Sequence, residues 1–416
     1  MKRLIQKMLP RSWYRALTTP YHFLLTFFSA VIAGFPARKL IVIGVTGTKG
    51  KSSVADMLYT TLKESGVKVA VASTIRFAIQ EKSEANLFKM TLPGRGFIQR
   101  FLRRAVNAGC THVVVEITSE STRQFRHFFL DLDALVFTNL HKEHIESHGS
   151  YEKYALAKFR IGKALAHSPK RPRAIIANND DVEGKKYLKL PVETRLPFSY
   201  SDAKNVKLGP GTASFTYADT PVTLKLPGSF SIMNALAVLK AARFAGVCLK
   251  DATTALQKLE RIPGRTERID AGQNFTVVVD YAHTPDSLRA LYDAYPVRKI
   301  CVLGNTGGGR DTWKRPEMGT IADDSCAHVI LTDEDPYDEN PRTILDDMQS
   351  GMKRQAKIMH DRREAIREAL VLAQEGDAVL ITGKGTDPYI MRANGTKEPW
   401  SDAQVAREEL QKLKMH

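Results

Sequence analysis

Residues 41–58 read IVIGVTGTKGKSSVADML, and few orders of residues restrict a fold as tightly. An apolar run rich in Val and Ile reads as a buried strand, and a glycine-rich turn follows it. Val54, Met57, Leu58 and Leu62 then keep helical spacing until Gly66, which fits a C-cap. Backbone N–H groups of such a loop, backed by the helix N-terminus, cradle phosphate oxygens. In this frame Gly47, Thr48 and Gly50 form the turn, Lys51 reaches terminal phosphates, and the hydroxyl of Ser52 or Ser53 suits Mg2+. The strict G-x-x-x-x-G-K-[ST] spacing fails at Val45, because the glycines fall at 44, 47 and 50. Strand, turn, lysine, hydroxyls and helix nonetheless occur in the required order, so binding of ATP or GTP is expected.

Downstream, short apolar runs alternate with helical patterns. VKVAVAS (67–73), HVVVEI (112–117), DALVFTN (133–139) and AIIAN (174–178) read as strands, with a helix from Phe97 closed by Gly109. Continuous apolar strands separated by helices predict an α/β fold with a parallel sheet covered on both faces. Residues 184–227 change to short alternating runs and turn residues, predicting a small β excursion. After RIPGR (261–265) a second αβ series begins, with strands in FTVVVDYA, RKICVLG, AHVILTD and DAVLITG. The Pro-Gly pair is a turn signal. The expected organisation is therefore a lead segment 1–40, a P-loop-containing central ATP-binding domain 41–262, and a Rossmann-like C-terminal α/β domain 263–416.

The charge balance, 61 − 45 = +16, argues for anionic partners: nucleic acid, nucleotide-bearing substrates or an acidic membrane. Aromatic-basic RNA-binding patterns are missing, so no nucleic acid partner is expected. Cys110, Cys248, Cys301 and Cys326 form no CxxC, which excludes a thiolate zinc ribbon. A disulfide framework is not expected either, and the chain reads as cytoplasmic. Residues 21–35, YHFLLTFFSAVIAGF, are mostly apolar and flanked by Lys2, Arg3, Lys7, Arg11, Arg15, Arg38 and Lys39. Three readings stay open for this run: packing onto the body, an interfacial helix on an anionic membrane, or a short span.

The form G-V-T-G-T-x-G-K-[ST]-[ST] resembles the ATP-dependent Mur ligases of cell-wall biosynthesis, in the pattern of their tripeptide synthetases, a superfamily shared with folylpolyglutamate synthetases. The resemblance runs from about 40 to the C-terminus. It implies that Glu116, in VVVEITSES, binds the Mg2+ between ATP phosphates, and that Thr91 and Ser119 contact substrate. TNLHKEHIESHGSYEKYALAKFRIG (138–162) resembles T-N-L-x-x-D-H-L-D-x-H-G, making His144 the histidine near a second cation, with Glu143 where aspartate is usual. Read alone, His141, His144 and His148 would suggest zinc, but no cysteine accompanies them. Lys158 matches a lysine that family members carry as a carbamate, an anionic Mg2+ ligand; read alone it is one lysine on a solvated helix face.

In the same way Asn234 matches an adenine contact, although Ser231 replaces a second asparagine, and Arg265 matches an arginine approaching the ATP phosphates. VVDYAHTPDSL makes Asp280, Tyr281 and His283 nucleotide-proximal. Arg310 falls in a G-G-D-R-D-like stretch where Gly309 replaces an acid, and Gly383 and Asp387 fall in a G-K-G-H-E-like one. ENPR (339–342) resembles the D-N-P-R that selects diaminopimelate, but the family motif directly follows a strand ending in Thr-Asp. In that register Asp335 and Tyr337 face the incoming amino acid, Tyr337 standing at the arginine position. The implied reaction is amide-bond formation through an acyl phosphate, with domain closure bringing acid, ATP and amine together. The implied partners are a UDP-MurNAc-peptide-like acceptor and a free amino acid, handled by a monomer. Only about 40 residues precede the loop, so the family's usual UDP-holding domain is not expected. A folylpolyglutamate-synthetase-like ligase, or a non-catalytic P-loop protein, is the alternative.

Overall fold

The computed structural model describes residues 11–414 except 95, 142 and 144–148, and for 11–19 and 123 the backbone alone. It contains two compact units: one gathers residues up to 141, 152–198 and 237–252, and the other gathers 142–151, 199–236 and the chain from 253 onward.

In the first unit, helix α1 (Arg11–Ile32) precedes strand β1 (Ile41–Thr46), and α2 (Lys51–Glu64) follows the glycine turn. Then come β2 (Val69–Ala72), the hairpin β3 (Arg76–Ile79) and β4 (Lys82–Ala85), α3 (Phe97–Asn107), β5 (His112–Glu116) and a short α4 (Ser119–Arg123). β6 (Ala134–Phe137), α5 (Tyr151–Ala166), β7 (Ala174–Asn178), α6 (Val182–Tyr187) and β8 (Thr194–Phe198) complete it. These strands form one eight-stranded sheet, ordered β4-β3-β2-β5-β1-β6-β7-β8. All pairings in it are parallel except those of the β3–β4 hairpin at one edge. The strands alternate little because both faces are covered: every residue of β2, β5 and β6 is buried. Asp56, fully buried on α2, takes both Arg76 nitrogens of β3 at 2.7 and 2.8 Å, tying the hairpin to the helix behind the glycine turn.

α1 runs through Pro20 and lies against α3. Its Phe23 ring meets Phe125 and Phe128 edge-on at 6.0 Å each, and Arg103 donates from Nε to the Ala33 carbonyl at 2.7 Å. That bond satisfies a backbone acceptor at the end of the helix with a cation. No helix of the described residues is long and apolar enough to cross a membrane.

The β excursion is smaller than 184–227. β8 joins the edge of the main sheet, and only β9 (Lys204–Gly209), β10 (Thr212–Tyr217) and β11 (Thr220–Leu224) make a separate three-stranded sheet. Helices α7 (Gly228–Phe244) and α8 (Leu249–Lys258) lead onward.

The second unit is built on β12 (Glu267–Ile269), β13 (Thr276–Asp280), β14 (Lys299–Leu303), β15 (His328–Leu331), β16 (Lys357–Ile358) and β17 (Ala378–Thr382). They are ordered β12-β13-β17-β14-β15-β16, parallel except at β12. Its helices are α9 (Pro285–Asp293), α10 (Lys314–Ser325), α11 (Pro341–Gln349), α12 (Arg362–Leu372) and α13 (Asp402–Lys414). The expectation of no disulfide is corrected here: Cys301 on β14 is bonded to Cys326, with Cα atoms 6.1 Å apart. Their spacing of 25 residues hides this contact. Cys326 closes α10 just before β15, which pairs directly with β14.

Arg362 and Asp402 form a fully buried two-bond pair at 2.8 and 2.8 Å, and Arg362 Nη2 also donates to the Thr382 carbonyl at 2.7 Å. One guanidinium therefore joins α12, the start of α13 and the end of β17. Removing one member of such a pair strands the other charge in a dry interior. Asp402→Asn is expected to lower unfolding stability in denaturant by about 3–5 kcal/mol. The double variant Arg362→Met/Asp402→Leu should recover part of that loss.

Candidate active site

In the first unit the site is built on the carboxyl ends of β1, β5 and β6. Gly47, at φ 148°, leads the chain so close to β6 that a Cβ there would sit 1.9 Å from Thr138 Oγ1. Thr138 Oγ1 donates to the Lys49 carbonyl at 2.6 Å, and Asn139 Oδ1 accepts from the Lys49 amide at 2.9 Å. The Thr48 amide donates to the Asn139 carbonyl at 2.8 Å. The Thr-Asn pair thus clamps the loop in one conformation. α2 starts at Lys51 behind a left-handed Gly50 with no side-chain cap, and a helix N-terminus of this kind suits an anion. Lys51 Nζ folds back to the Thr48 carbonyl at 2.7 Å, and Ser53 lies in the same first turn.

Glu116, almost wholly buried, ends β5 beside this turn. Ser52 Oγ donates to its Oε1 at 3.0 Å, and the Thr74 amide donates to its Oε2 at 2.8 Å. Mg2+ prefers oxygen ligands in an octahedron with bonds of ~2.1 Å, whose adjacent corners lie about 3 Å apart. The hydroxyl–carboxylate pair therefore has the chemistry and spacing to hold this ion. Thr91 comes next to it through a 2.8 Å hydroxyl contact with Thr74, while Ser119 is buried at the start of α4.

Lys158 does not lie on a solvated face. It is buried on α5, donates from Nζ to the Gly47 carbonyl, and stands 4.9 Å from the centre of the Tyr154 ring. The Tyr154 hydroxyl in turn is 3.1 Å from Thr48 Oγ1. Burial of a lysine at the phosphate loop is what a helix periodicity cannot reveal. His144, together with Glu146 and His148, lies outside the described residues.

In the second unit the turn after β13 gathers another set. Asp280 accepts from the amides of Thr266 and Ala282 at 2.6 Å each, so its oxygens hold the backbone on either side of the turn. Burial pushes its pKa up, opposed by the Arg265 guanidinium and those amides. Arg265 lies 4.4 Å over the Tyr281 ring, and the His283 ring is 4.6 Å away on the same tyrosine. The Asp387 carboxylate, followed by burial, raises the Tyr281 phenol well above its usual range, which keeps it a neutral donor. His283 bridges the Tyr281 carbonyl, at 2.7 Å from Nδ1, and Glu143 Oε1, at 3.2 Å from Nε2.

The ends of β15 and β17 bring a cation and several carboxylates together. Lys384 is fully buried, with Nζ 2.8 Å from Asp335 Oδ1, 2.7 Å from the Tyr389 carbonyl and 3.6 Å from Asp387 Oδ2. Asp335 Oδ1 also accepts the Met391 amide at 2.8 Å. Beside them Glu334, buried, takes the Thr306 hydroxyl on Oε1 at 2.7 Å, while its Oε2 has no hydrogen-bond partner among the described residues. Oε2 points at Gly383, whose φ is 105° and whose added Cβ would lie 2.4 Å away. Sequence reasoning passed over Glu334; its place just after Thr332-Asp333 at a strand end was the available signal.

Arg310 stacks 5.0 Å over Tyr337, an exposed edge of this set. Arg315, which falls in the same motif, is buried and spent on Glu339 at 2.7 Å and Asp347 at 2.8 Å. ENPR is likewise structural: Asn340 caps α11 by accepting the Arg342 amide at 2.9 Å, and Arg342 pairs with Asp346 at 2.9 Å. Asn234 is half-buried on α7, and the Ser231 hydroxyl is turned onto the Pro227 carbonyl at 2.6 Å.

A phosphate loop on a parallel sheet, joined by chain to a second α/β unit that carries buried acids at its strand ends, defines a nucleotide-using ligase class. Residues 45–242 match the family model of the Mur ligase middle domain, and 264–385 match the Mur ligase glutamate ligase domain. A 2,6-diaminopimelate ligase acting on UDP-N-acetylmuramoyl-L-alanyl-D-glutamate, from Geobacillus kaustophilus, is 35% identical over 393 residues, covering 90% of this chain and 79% of that protein. A UDP-N-acetylmuramyl-tripeptide synthetase from Roseiflexus sp. is 34% identical over 415 residues, covering 92% and 81%. A solved structure of such a diaminopimelate ligase matches with 30% identity and a TM-score of 0.62, covering 91% of this chain and 79% of that one. A folylpolyglutamate synthase from Mycobacterium tuberculosis matches at 16% identity and a TM-score of 0.70, covering 88% and 93%, a likeness of fold alone. The chain belongs to the Mur ligase family and is an ATP-dependent acid–amino-acid ligase.

Glu116→Gln keeps the shape of the carboxylate but halves its use as a hard cation ligand. The Mg2+ concentration for half-maximal phosphate release is expected to rise about 10–100-fold, with the circular dichroism spectrum unchanged.

Proposed function

We propose that the chain joins the free carboxylate of a UDP-MurNAc-peptide-like precursor to the amine of a free amino acid, in the cytoplasm, with residues 41–262 handling ATP and 263–416 the amine. The single observation that carries this reading is the Ser52–Glu116 contact, which puts a cation-holding pair at the first turn of a phosphate-loop helix. The diaminopimelate ligase from Geobacillus kaustophilus is named for the acid and amine it joins, and the Roseiflexus relative for the tripeptide it makes.

A carboxylate resists attack by an amine because its negative charge opposes the incoming lone pair. ATP removes that obstacle: the carboxylate oxygen attacks the γ-phosphorus, ADP leaves, and an acyl phosphate forms. Lys51 and the amides of Gly47 and Gly50 would oppose the charge shifting onto ADP, and Ser52 and Glu116 would hold a Mg2+, which supplies charge neutralisation at the phosphates. Arg265 supplies a planar guanidinium for phosphoryl oxygens. The amine, first bound as ammonium, is attracted to the carboxylates of Glu334 and Asp387, loses a proton and attacks the acyl carbon. Phosphate then leaves from the tetrahedral intermediate. Positioning does most of this work, since no protein nucleophile is needed.

Amino-acid-dependent phosphate release, measured with a UDP-MurNAc-dipeptide and a panel of diamino acids, is expected to rise for at least one pair. Failure of every acceptor pair to stimulate release would sink the proposal.

Lys158 is proposed to react with CO2, its neutral amine attacking the carbon and releasing a proton, to give a carbamate that faces the same cation site. Protein equilibrated with 13C-bicarbonate should show a carbamate carbon resonance that Lys158→Arg lacks; identical spectra would exclude the modification.

A further inference from the structure

α1 is turned inside out relative to an ordinary surface helix. Thr26 is buried, Ser29 partly so, and each spends its hydroxyl on its own helix, Thr26 on the His22 carbonyl at 2.9 Å and Ser29 on the Leu25 carbonyl at 2.6 Å. The large apolar side chains point outward instead: Leu24 is 48% exposed, Phe28 55%, Val31 45% and Ile32 86%. With Tyr21 they follow i, i+3, i+7, i+10, i+11 spacing, one continuous outer stripe. The stripe runs on over the body of the same unit. Exposed Phe128 lies 6.0 Å from Phe23, and exposed Phe88 lies 5.2 Å from Phe97, next to Gly96, whose added Cβ would touch Ser29. A patch of this kind on a water-facing surface marks a docking face.

Charge says what covers it. No Asp or Glu precedes Asp56, whereas the first 40 residues carry Lys2, Arg3, Lys7, Arg11, Arg15, Arg38 and Lys39. Lys39, in the turn Pro36–Lys39 beyond α1, and Arg100 and Arg104, on α3, are exposed, and Arg38 is exposed with a 3.3 Å contact to Asp131. A second copy would bring like charge against like charge. We infer that this face docks on an anionic lipid surface, with α1 lying along the interface. The outward stripe, 21–32, is about 18 Å long, against the roughly 30 Å a span requires. Apolar insertion and basic flanks together give the two signals that stable peripheral binding needs. The inference is independent of the ligase reading.

Flotation of the full chain with phosphatidylcholine vesicles, with and without phosphatidylglycerol, tests it. The native protein should be recovered with the anionic vesicles about tenfold more than Leu24→Asp/Phe28→Asp/Val31→Asp, and Lys39→Glu/Arg104→Glu should lower that recovery while keeping the native circular dichroism spectrum. Equal recovery of native and triple-variant protein overturns the proposal. So does a native dimer in light scattering that the triple variant converts to monomer without any vesicle recovery, since a second copy would then be the occupant.

Discussion

Because β1, β5 and β6 run parallel, Val45 lies beside Glu116 and Thr46 beside Phe137, so the loop after β1 must emerge between Glu116 and Thr138. Everything in the first site follows from that register. Glu116 meets Ser52 because the helix starts one short turn beyond the strand, and Thr138 and Asn139 clamp the loop because their own strand ends on the same edge. The second unit repeats the logic: Asp280 ends β13, and Gly383 and Glu334 follow the carboxyl ends of β17 and β15 in the same parallel sheet. Parallel pairing aligns strand ends, and aligned strand ends concentrate the loops that carry chemistry.

The strongly basic composition is handled inside the molecule with more care than its surface balance implies. Lys158, Arg315, Arg362 and Lys384 are all buried, and Arg315, Arg362 and Lys384 each have carboxylates within ion-pair distance. A buried cation without such partners would cost several kcal/mol of desolvation. Arg315 and Lys384 therefore serve the interior. Lys158 reaches the Gly47 carbonyl and the face of the Tyr154 ring, which ties α5 to the phosphate loop.

Much of the architecture was legible as text. AIIAN became β7 residue for residue, and the helix from Phe97 ends at Asn107, just short of Gly109. Such segments are readable because continuous β-branched runs and amphipathic spacing are local properties. The β3–β4 hairpin was missed because β4, KSEA, is wholly exposed and carries no alternation. The Cys301–Cys326 bond and the Asp56–Arg76 pair were missed because their partners meet only across elements.

By itself the sequence determined that this is an α/β chain with a phosphate loop at 47–53, since strand, glycines, lysine and hydroxyls act within one stretch of chain, while the ligase reading came from the resemblance of its motifs. It also determined that an apolar, acid-free segment leads into that loop. Only the tertiary structure decided that Glu116 belongs to Ser52, that Glu334 keeps an unpartnered oxygen beside Gly383, and that the apolar residues of α1 face outward. Those facts depend on which strands lie side by side and which helix face is covered. Neither is encoded by local spacing; both are settled when the whole chain buries its apolar surface at once.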